Sequence, residues 1–460
     1  MSSLWTSEDL ARATRGRALA GFAASGVAID TRRLTPGDLF VALHGTRDGH
    51  DYVAAALAAG AAGALVDHVP ETLPESAPLL LVGDTTEALS TIGAAGRARY
   101  AGPVVAVTGS VGKTTTKDML RLCLSAGGPA HAAEASHNNH WGVPLTLARL
   151  PPEAPGCAVE IGMNHPGEIA PLARLASPTV AVITAIGSAH IGPMGSLEAI
   201  AAEKSTITTG LRPGGTLVVP ADTPFLPLLR DAAGGARLVT FGQGEASCRL
   251  ISIDPDADGS IIAGSVNGHA FRLRLAAPGL HSALDALAAL AATEATGLDV
   301  EQAASRLEAF SPGGGRGLRA RIAVGGGTAV LLDESYNASA VSMRAALAVL
   351  ALQPARRRIA VLGDMRELGS HSEREHRALA GPVADTADLV FACGPEMRVL
   401  FDTLPRHRRG AHTQTAGALI PLVAAELRQG DAILVKGSNG VGLGALVQFL
   451  QNQQEQGHAA

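Results

Sequence analysis

An apolar run from Val104 to Thr108 ends in two glycines spaced by Ser110 and Val111, and a lysine with three threonines then opens a helical pattern ("VVAVTGSVGKTTTKDML"). A strand that turns on glycine into a helix aims backbone N–H groups and the positive helix end at a phosphate. It needs a parallel sheet with the turn at the carboxyl edge. Lys113 offers a point charge to phosphate oxygens, and the Thr114 hydroxyl offers a magnesium ligand. The common form of this loop has four residues between its glycines, whereas Val107 precedes the turn here and only two residues separate Gly109 from Gly112. The shortened cradle still holds phosphate and narrows the chain to a subset of nucleotide enzymes.

The rest of the chain supports a large α/β protein. Its 460 residues predict roughly three domains. Apolar residues make up 47%, charged residues 17%, and the formal net charge is −5, which suits a globular protein and leaves no broad basic surface for nucleic acid. Cys123, Cys157, Cys248 and Cys393 lie far apart without metal-knuckle spacing, so a reducing compartment is expected. The N-terminus lacks the apolar core of a signal peptide, and no uninterrupted apolar stretch is long enough to insert in a membrane, so the expected location is cytoplasmic.

Organisation follows from pattern. Residues 1–100 read as a small α/β unit in which "DTRRLTPGDLFVAL" is a turn and strand, and "DYVAAALAAGAAGALVD" a helix running into a strand. Residues 101–311 carry "VVAVTG", "CAVEIG", "TVAVITAIG" and "GTLVVP", strand-length runs alternating with helices, hence a parallel sheet. Short alternating segments between about 238 and 275 predict antiparallel hairpins appended to it. The "SPGGGRG" cluster, Ser311 to Gly317, reads as a linker, since glycine runs resist a fixed backbone. Residues 312–460 repeat strand and helix through "TAVLLDE", "RIAVLGD", "DLVFACG" and "AILVKGS", a doubly wound, Rossmann-like pattern.

Groups just past strand ends come first for function. Glu160 closes "CAVE", His190 follows "AVITAIGSA", and Lys204 lies in the helical "SLEAIAAEKSTI". Singly, the first two are as readily solvated or capping groups, and a helical lysine is ordinarily exposed. Together they suggest a hard-cation site beside phosphates.

Six segments, "TGSVGKTTTK", "VEIGMNHPGEI", "SAHIGPMGSLEAIAAEKSTI", "DESYNASAVSM", "VLGDMRELG" and "ILVKGS", together resemble the Mur ligase family of peptidoglycan synthesis, and the likeness covers nearly the whole chain. It implies an N-terminal UDP-sugar-peptide-binding domain, a central ATP-binding domain and a C-terminal Rossmann-like domain. It also implies an ADP-forming amide ligation through an acyl phosphate, with ATP and Mg2+. The "DTRRLTPGDLF" pattern is shared with the family member that adds the third peptide residue. "DESYNA" and "LGDMRELG" resemble the member that adds D-alanyl-D-alanine, so the implied substrates are UDP-N-acetylmuramoyl-tripeptide and D-alanyl-D-alanine, handled by a monomer.

The resemblance carries over by position. Gly109, Ser110, Val111, Gly112, Lys113, Thr114 and Thr115 would hold the ATP phosphates; Thr114, Glu160, His190 and Lys204 match metal-holding positions, Lys204 as a carbamate. Lys113, Lys204 and His190 match catalytic positions. His281 and Asp285 match the adenine segment, Arg316 and Glu334 face the nucleotide from the C-terminal domain, and Asn337 belongs to the motif for the incoming amine. Thr31, Arg32, Asn138 and Asn139 match the side that receives the UDP-sugar peptide. Departures from the family are Ser282, Asp285, Glu334, Ser339-Ala340 and Asn439, where Asn, Asn, Asp, Asn-Pro and Arg are usual. A related ligase for another amine (third-residue-adding or folyl-polyglutamate type), a phosphate-loop phosphotransferase and a non-catalytic binding protein are the competing readings.

Overall fold

The computed structural model describes residues 3–74, 76–133 and 136–456. Among these the strands form four sheets. The smallest pairs Trp5–Thr6 with Ala23–Ala24. A five-stranded sheet follows, in the order Arg17–Ala18, Leu79–Leu81, Gly63–Val66, Asp38–Val41, Gly26–Ala28, parallel except at Arg17–Ala18.

The central sheet has nine strands. Val104–Thr108 lies in it between Val180–Ile183 and Cys157–Glu160, parallel to both. The chain therefore leaves Val104–Thr108 toward one side and later returns on the other, which makes its carboxyl end a switch point where a crevice opens. Thr216–Pro220 and Arg237–Gly242 extend the parallel part, and the expected hairpins follow as the antiparallel strands Cys248–Pro255, Ser260–Val266 and His269–Leu275. The inner strand Val104–Val107 is fully buried, as a strand covered by helices on both faces must be. One cover is the alanine-rich helix Leu280–Glu294, whose small side chains pack in one cluster with Val105, Val107, Val180 and Val218.

The third sheet runs Leu318–Val324, Gly327–Glu334, Asp431–Lys436, Arg357–Gly363, Leu389–Cys393, Arg409–Thr413. All its pairs are parallel except the first hairpin. The two outer strands, Leu318–Val324 and Arg409–Thr413, add to the four that the pattern predicts. Cys123, Cys157, Cys248 and Cys393 are buried free thiols. No helix among the described residues is long and apolar enough to cross a membrane.

Candidate active site

The glycine turn is built as its spacing predicts. Gly112 has φ +83°, the left-handed region, and a Cβ there would overlap Asp285 Oδ1; a Cβ on Gly109 would overlap Thr184 Oγ1. Both positions exclude a side chain. The turn is braced from the next strand's end, since Ser110 N–H donates to Ala185 O at 2.8 Å and Ser110 Oγ donates to Gly187 O at 3.0 Å. Helix Lys113–Cys123 then starts, with its first-turn N–H groups directed at the crevice.

Register brings the acid to the loop. Glu160 pairs with Val107 across neighbouring parallel strands and is 1% exposed. Its carboxylate accepts from Thr114 Oγ1 at 2.8 Å and from Asn138 Nδ2 at 2.7 Å. Lys113 Nζ folds back on Gly109 O at 2.7 Å. Burial lowers the Lys113 pKa; Glu160 opposes the shift and Arg316 adds to it.

Lys204 departs from the ordinary behaviour of a helical lysine. It is 1% exposed on helix Leu197–Ser205, and its ammonium makes no hydrogen bond or ion pair among the described residues. Burial drives its pKa well below the usual lysine range, and Lys113 pushes it further down. His190 starts the short helix Ile191–Met194 with φ +65°, and its Nδ1 meets the Glu367 carboxylate of the third sheet's unit. His190 holds the Glu367 pKa below the usual carboxylate range, and Gly192 N–H donates to Glu367 O at 2.8 Å.

One cavity of about 670 Å³ collects most of the anticipated residues. Ser110 to Thr115, Asn138, Asn139, Glu160, His190, His281, Asp285, Arg316, Glu334 and Asn337 all line it. Gly109 and Lys204 are not among its lining residues, and Thr31 and Arg32 are elsewhere. The latter two line a second cavity of about 1040 Å³, where Asp30 grips the Arg32 guanidinium at 2.6–3.2 Å. The segment 136–141 divides the cavities: Ser136, Asn138, Asn139 and His140 face the first, His137 and Trp141 the second.

The linker is fixed rather than loose. Gly315 N–H donates to Asp333 Oδ2 at 2.6 Å and Gly317 N–H to Asp333 O at 2.9 Å. Arg316 thereby stacks 4.0 Å from the Tyr336 ring centroid and donates to Ser136 Oγ at 2.7 Å, crossing between units. Lys436 is a site residue that sequence reading passed over. It faces Glu334 in parallel register, and its buried Nζ reaches Glu334 Oε2 at 3.2 Å and Asn337 O at 3.0 Å. Its place at the end of the apolar run "AILVK" was the available signal.

A phosphate loop at the switch point of one parallel sheet, met across a cavity by the strand ends of a second, defines a multidomain nucleotide-dependent α/β enzyme. Family models match in three consecutive stretches: Mur ligase family, catalytic domain, over residues 23–97; Mur ligase middle domain over 107–293; and Mur ligase, glutamate ligase domain, over 320–439. A UDP-N-acetylmuramoyl-tripeptide--D-alanyl-D-alanine ligase of Synechocystis is 38% identical, covering 92% of this chain and 91% of its own. A crystal structure of MurF from Acinetobacter baumannii superposes with TM-score 0.84 at 31% identity, covering 97% and 99% of the two chains. The fold is also that of the MurF ligase of Thermotoga maritima in complex with ADP, with TM-score 0.78 at 24% identity over 94% and 98%. The chain belongs to the Mur ligase family.

Proposed function

We propose that this chain joins D-alanyl-D-alanine to UDP-N-acetylmuramoyl-tripeptide, converting ATP to ADP and phosphate by way of an acyl phosphate. The observation that carries the reading is the single cavity in which Lys113, Thr114 and Glu160 meet Arg316, Glu334 and Lys436. Near the loop, burial lowers the pKa of both Lys113 and Lys204; Arg316 adds to the shift of the first and Lys113 to that of the second, while Glu160 and Glu203 oppose them. A triphosphate would bring negative charge to these cations. The activity of the relatives and the coverage of nearly the whole chain support the choice of substrates.

Residues 1–100, 101–311 and 312–460 serve as the three functional units. The UDP-sugar enters the cavity of Thr31 and Arg32, and its peptide passes Asn138 and Asn139 toward the phosphate loop. The tripeptide carboxylate attacks the γ-phosphorus, ADP leaves, and the amine of D-alanyl-D-alanine, near Asn337, displaces phosphate and loses its proton. Such phosphoryl transfer asks the protein for position and charge rather than covalent help. Lys113 leaves Gly109 O for the phosphate oxygens, and Arg316, reaching Ser136 from the linker, closes the site against water.

Thr114 Oγ1 and Glu160 Oε2, side by side at 2.8 Å, are the hard oxygen donors that magnesium takes next to phosphates. Thr114 and Glu160, with His190 and a carbamylated Lys204 in support, would hold magnesium, which would supply charge neutralisation during phosphoryl transfer. The lowered Lys204 pKa favours the neutral amine, the form that adds carbon dioxide. ATP with a UDP-linked precursor supports a cytoplasmic reaction.

Asp285 takes the adenine side in place of the usual Asn. Burial pushes its carboxyl up to about 8, so at neutral pH it is an acid with one O–H donor and one acceptor, the pair an amide presents. Its folded pKa lies above the unfolded 3.8. The unfolded state therefore ionises first, and native stability falls as pH rises from about 4 to about 8. Asp285→Asn is expected to remove that loss. The variant should match the parent near pH 4 and gain about 1–3 kcal/mol at pH 8, discounted for the open cavity. Thermal melts across this range check it, and equal melting-point differences at both ends would contradict a neutral Asp285.

Omitting one component at a time tests the function itself. ADP release and a pentapeptide product detected by mass should require ATP, UDP-N-acetylmuramoyl-tripeptide and D-alanyl-D-alanine together. Turnover with the second or third omitted, or with a single amino acid in place of the dipeptide, would remove this reading.

A further inference from the structure

Outside the phosphate-loop cavity, three imidazoles and two carboxylates converge at the carboxyl edge of the five-stranded sheet. Asp38–Val41 and Gly63–Val66 are parallel neighbours there. The chain leaves the first toward His44, Asp48 and His50 and leaves the second directly into Asp67 and His68. The rings stack in a row, His44 on His50 at 5.0 Å and His50 on His68 at 4.2 Å between centroids.

The orientation of the rings is specific. His44 Nε2 lies 2.6 Å from Asp67 Oδ2, and His50 Nε2 accepts the Asp67 backbone N–H at 3.2 Å and lies 3.2 Å from Asp67 Oδ1, so Asp67 holds both rings by the same nitrogen. Their other nitrogens both turn to Asp48 Oδ1, His50 Nδ1 at 2.7 Å and His44 Nδ1 at 3.4 Å. His68 Nδ1, 2.6 Å from Asp67 Oδ1, steadies the orienting carboxylate from its far side. His44, Asp48 and His50 can each place a ligand atom within 4.8 Å of the others. Two imidazole nitrogens and a carboxylate, with an outer carboxylate on the far nitrogen of each ring, form the donor set of a four-coordinate zinc-type ion with one position left to water.

We propose that His44 Nδ1, Asp48 and His50 Nδ1 bind a divalent transition-metal ion, with Asp67 as the positioning carboxylate. Binding changes the His50 tautomer: the Nδ1 proton passes to solvent, solvent returns one to Nε2, and Nε2, which otherwise accepts the Asp67 backbone N–H at 3.2 Å, then donates to Asp67 Oδ1. The two nitrogen donors favour zinc-class ions over magnesium, which takes oxygen. The site is thus chemically distinct from the Thr114 and Glu160 oxygens. His44 is half exposed and His50 buried, so an ion has access on one side and a fixed wall on the other. Thr46, Arg47 and Gly49 of the same loop line the cavity of Thr31 and Arg32, and the ion would stiffen that wall.

Titrating chelator-treated full-length protein with Co2+ tests the assignment. One equivalent should give the intense visible absorption of a four-coordinate nitrogen–oxygen site. His44→Gln and Asp48→Asn, both at exposed positions, should lose that band, with Co2+ affinity down at least about 10-fold. Asp67→Asn should keep one equivalent at an affinity roughly 10–100-fold weaker. His68→Ala and Glu160→Gln should retain the band. A wild-type protein without it, a band that survives His44→Gln and Asp48→Asn, or a band abolished by Glu160→Gln would overturn the proposal and leave the cluster a hydrogen-bonded network.

Discussion

Lys113→Ala is expected to abolish turnover, with ADP release at saturating substrates falling by roughly 10³-fold, the scale on which one preorganised charge acts at a transition state. The lysine follows a turn in which Gly109 and Gly112 leave no room for a Cβ against Thr184 and Asp285. Its only hydrogen bond among the described residues is to Gly109 O, so the fold does not depend on it. Removing a cation that pushes down the Lys204 pKa should leave the melting temperature unchanged or raised. Activity lost with stability kept is the expected signature. A variant with near-normal rate would refute the phosphate assignment, and one that merely melts early would point to a structural lysine.

Lys204→Ala should cost on the order of 10²-fold or more in rate, and bicarbonate or short carboxylic acids should partly restore it. An ammonium buried near Lys113 with no hydrogen bond or ion pair among the described residues is costly. A carbamate reverses its sign and lets it face cations. The alanine variant opens a cavity of side-chain size in which a small carboxylate can stand for the carbamate, whereas Lys204→Arg keeps a charge that does not carbamylate and should stay inactive without rescue. Steady-state rates with and without added acid decide this. Full activity of Lys204→Ala alone, or equal rescue of the arginine variant, would discard the carbamate.

Much of the architecture was legible because it is written in local pattern. "VVAVTG", "CAVEIG" and "TVAVITAIG" are apolar throughout, as strands buried on both faces require, and they became the inner strands of the central sheet. The alternating segments after 238 became hairpins for the opposite reason, having one wet face. Leu318–Val324 and Arg409–Thr413 escaped notice because they are edge strands, and their arginines and threonine read as loop. The glycine cluster read as a loose linker because the carboxylate that pins it, Asp333, lies beyond it in the sequence on another strand.

Site chemistry divides in the same way. The glycine spacing, Lys113 and Thr114 declare a phosphate loop by themselves, since backbone reach and helix polarity act over a single turn of chain. That Lys204 is buried, that Arg316 reaches Ser136, that Lys436 faces Glu334, and that Thr31 and Arg32 line a cavity apart from the loop were decided only when distant segments packed. The physical reason is one of range. Turn geometry depends on neighbours along the chain, but the protonation and partners of a charged group depend on what excludes water around it, and those neighbours lie tens or hundreds of residues away.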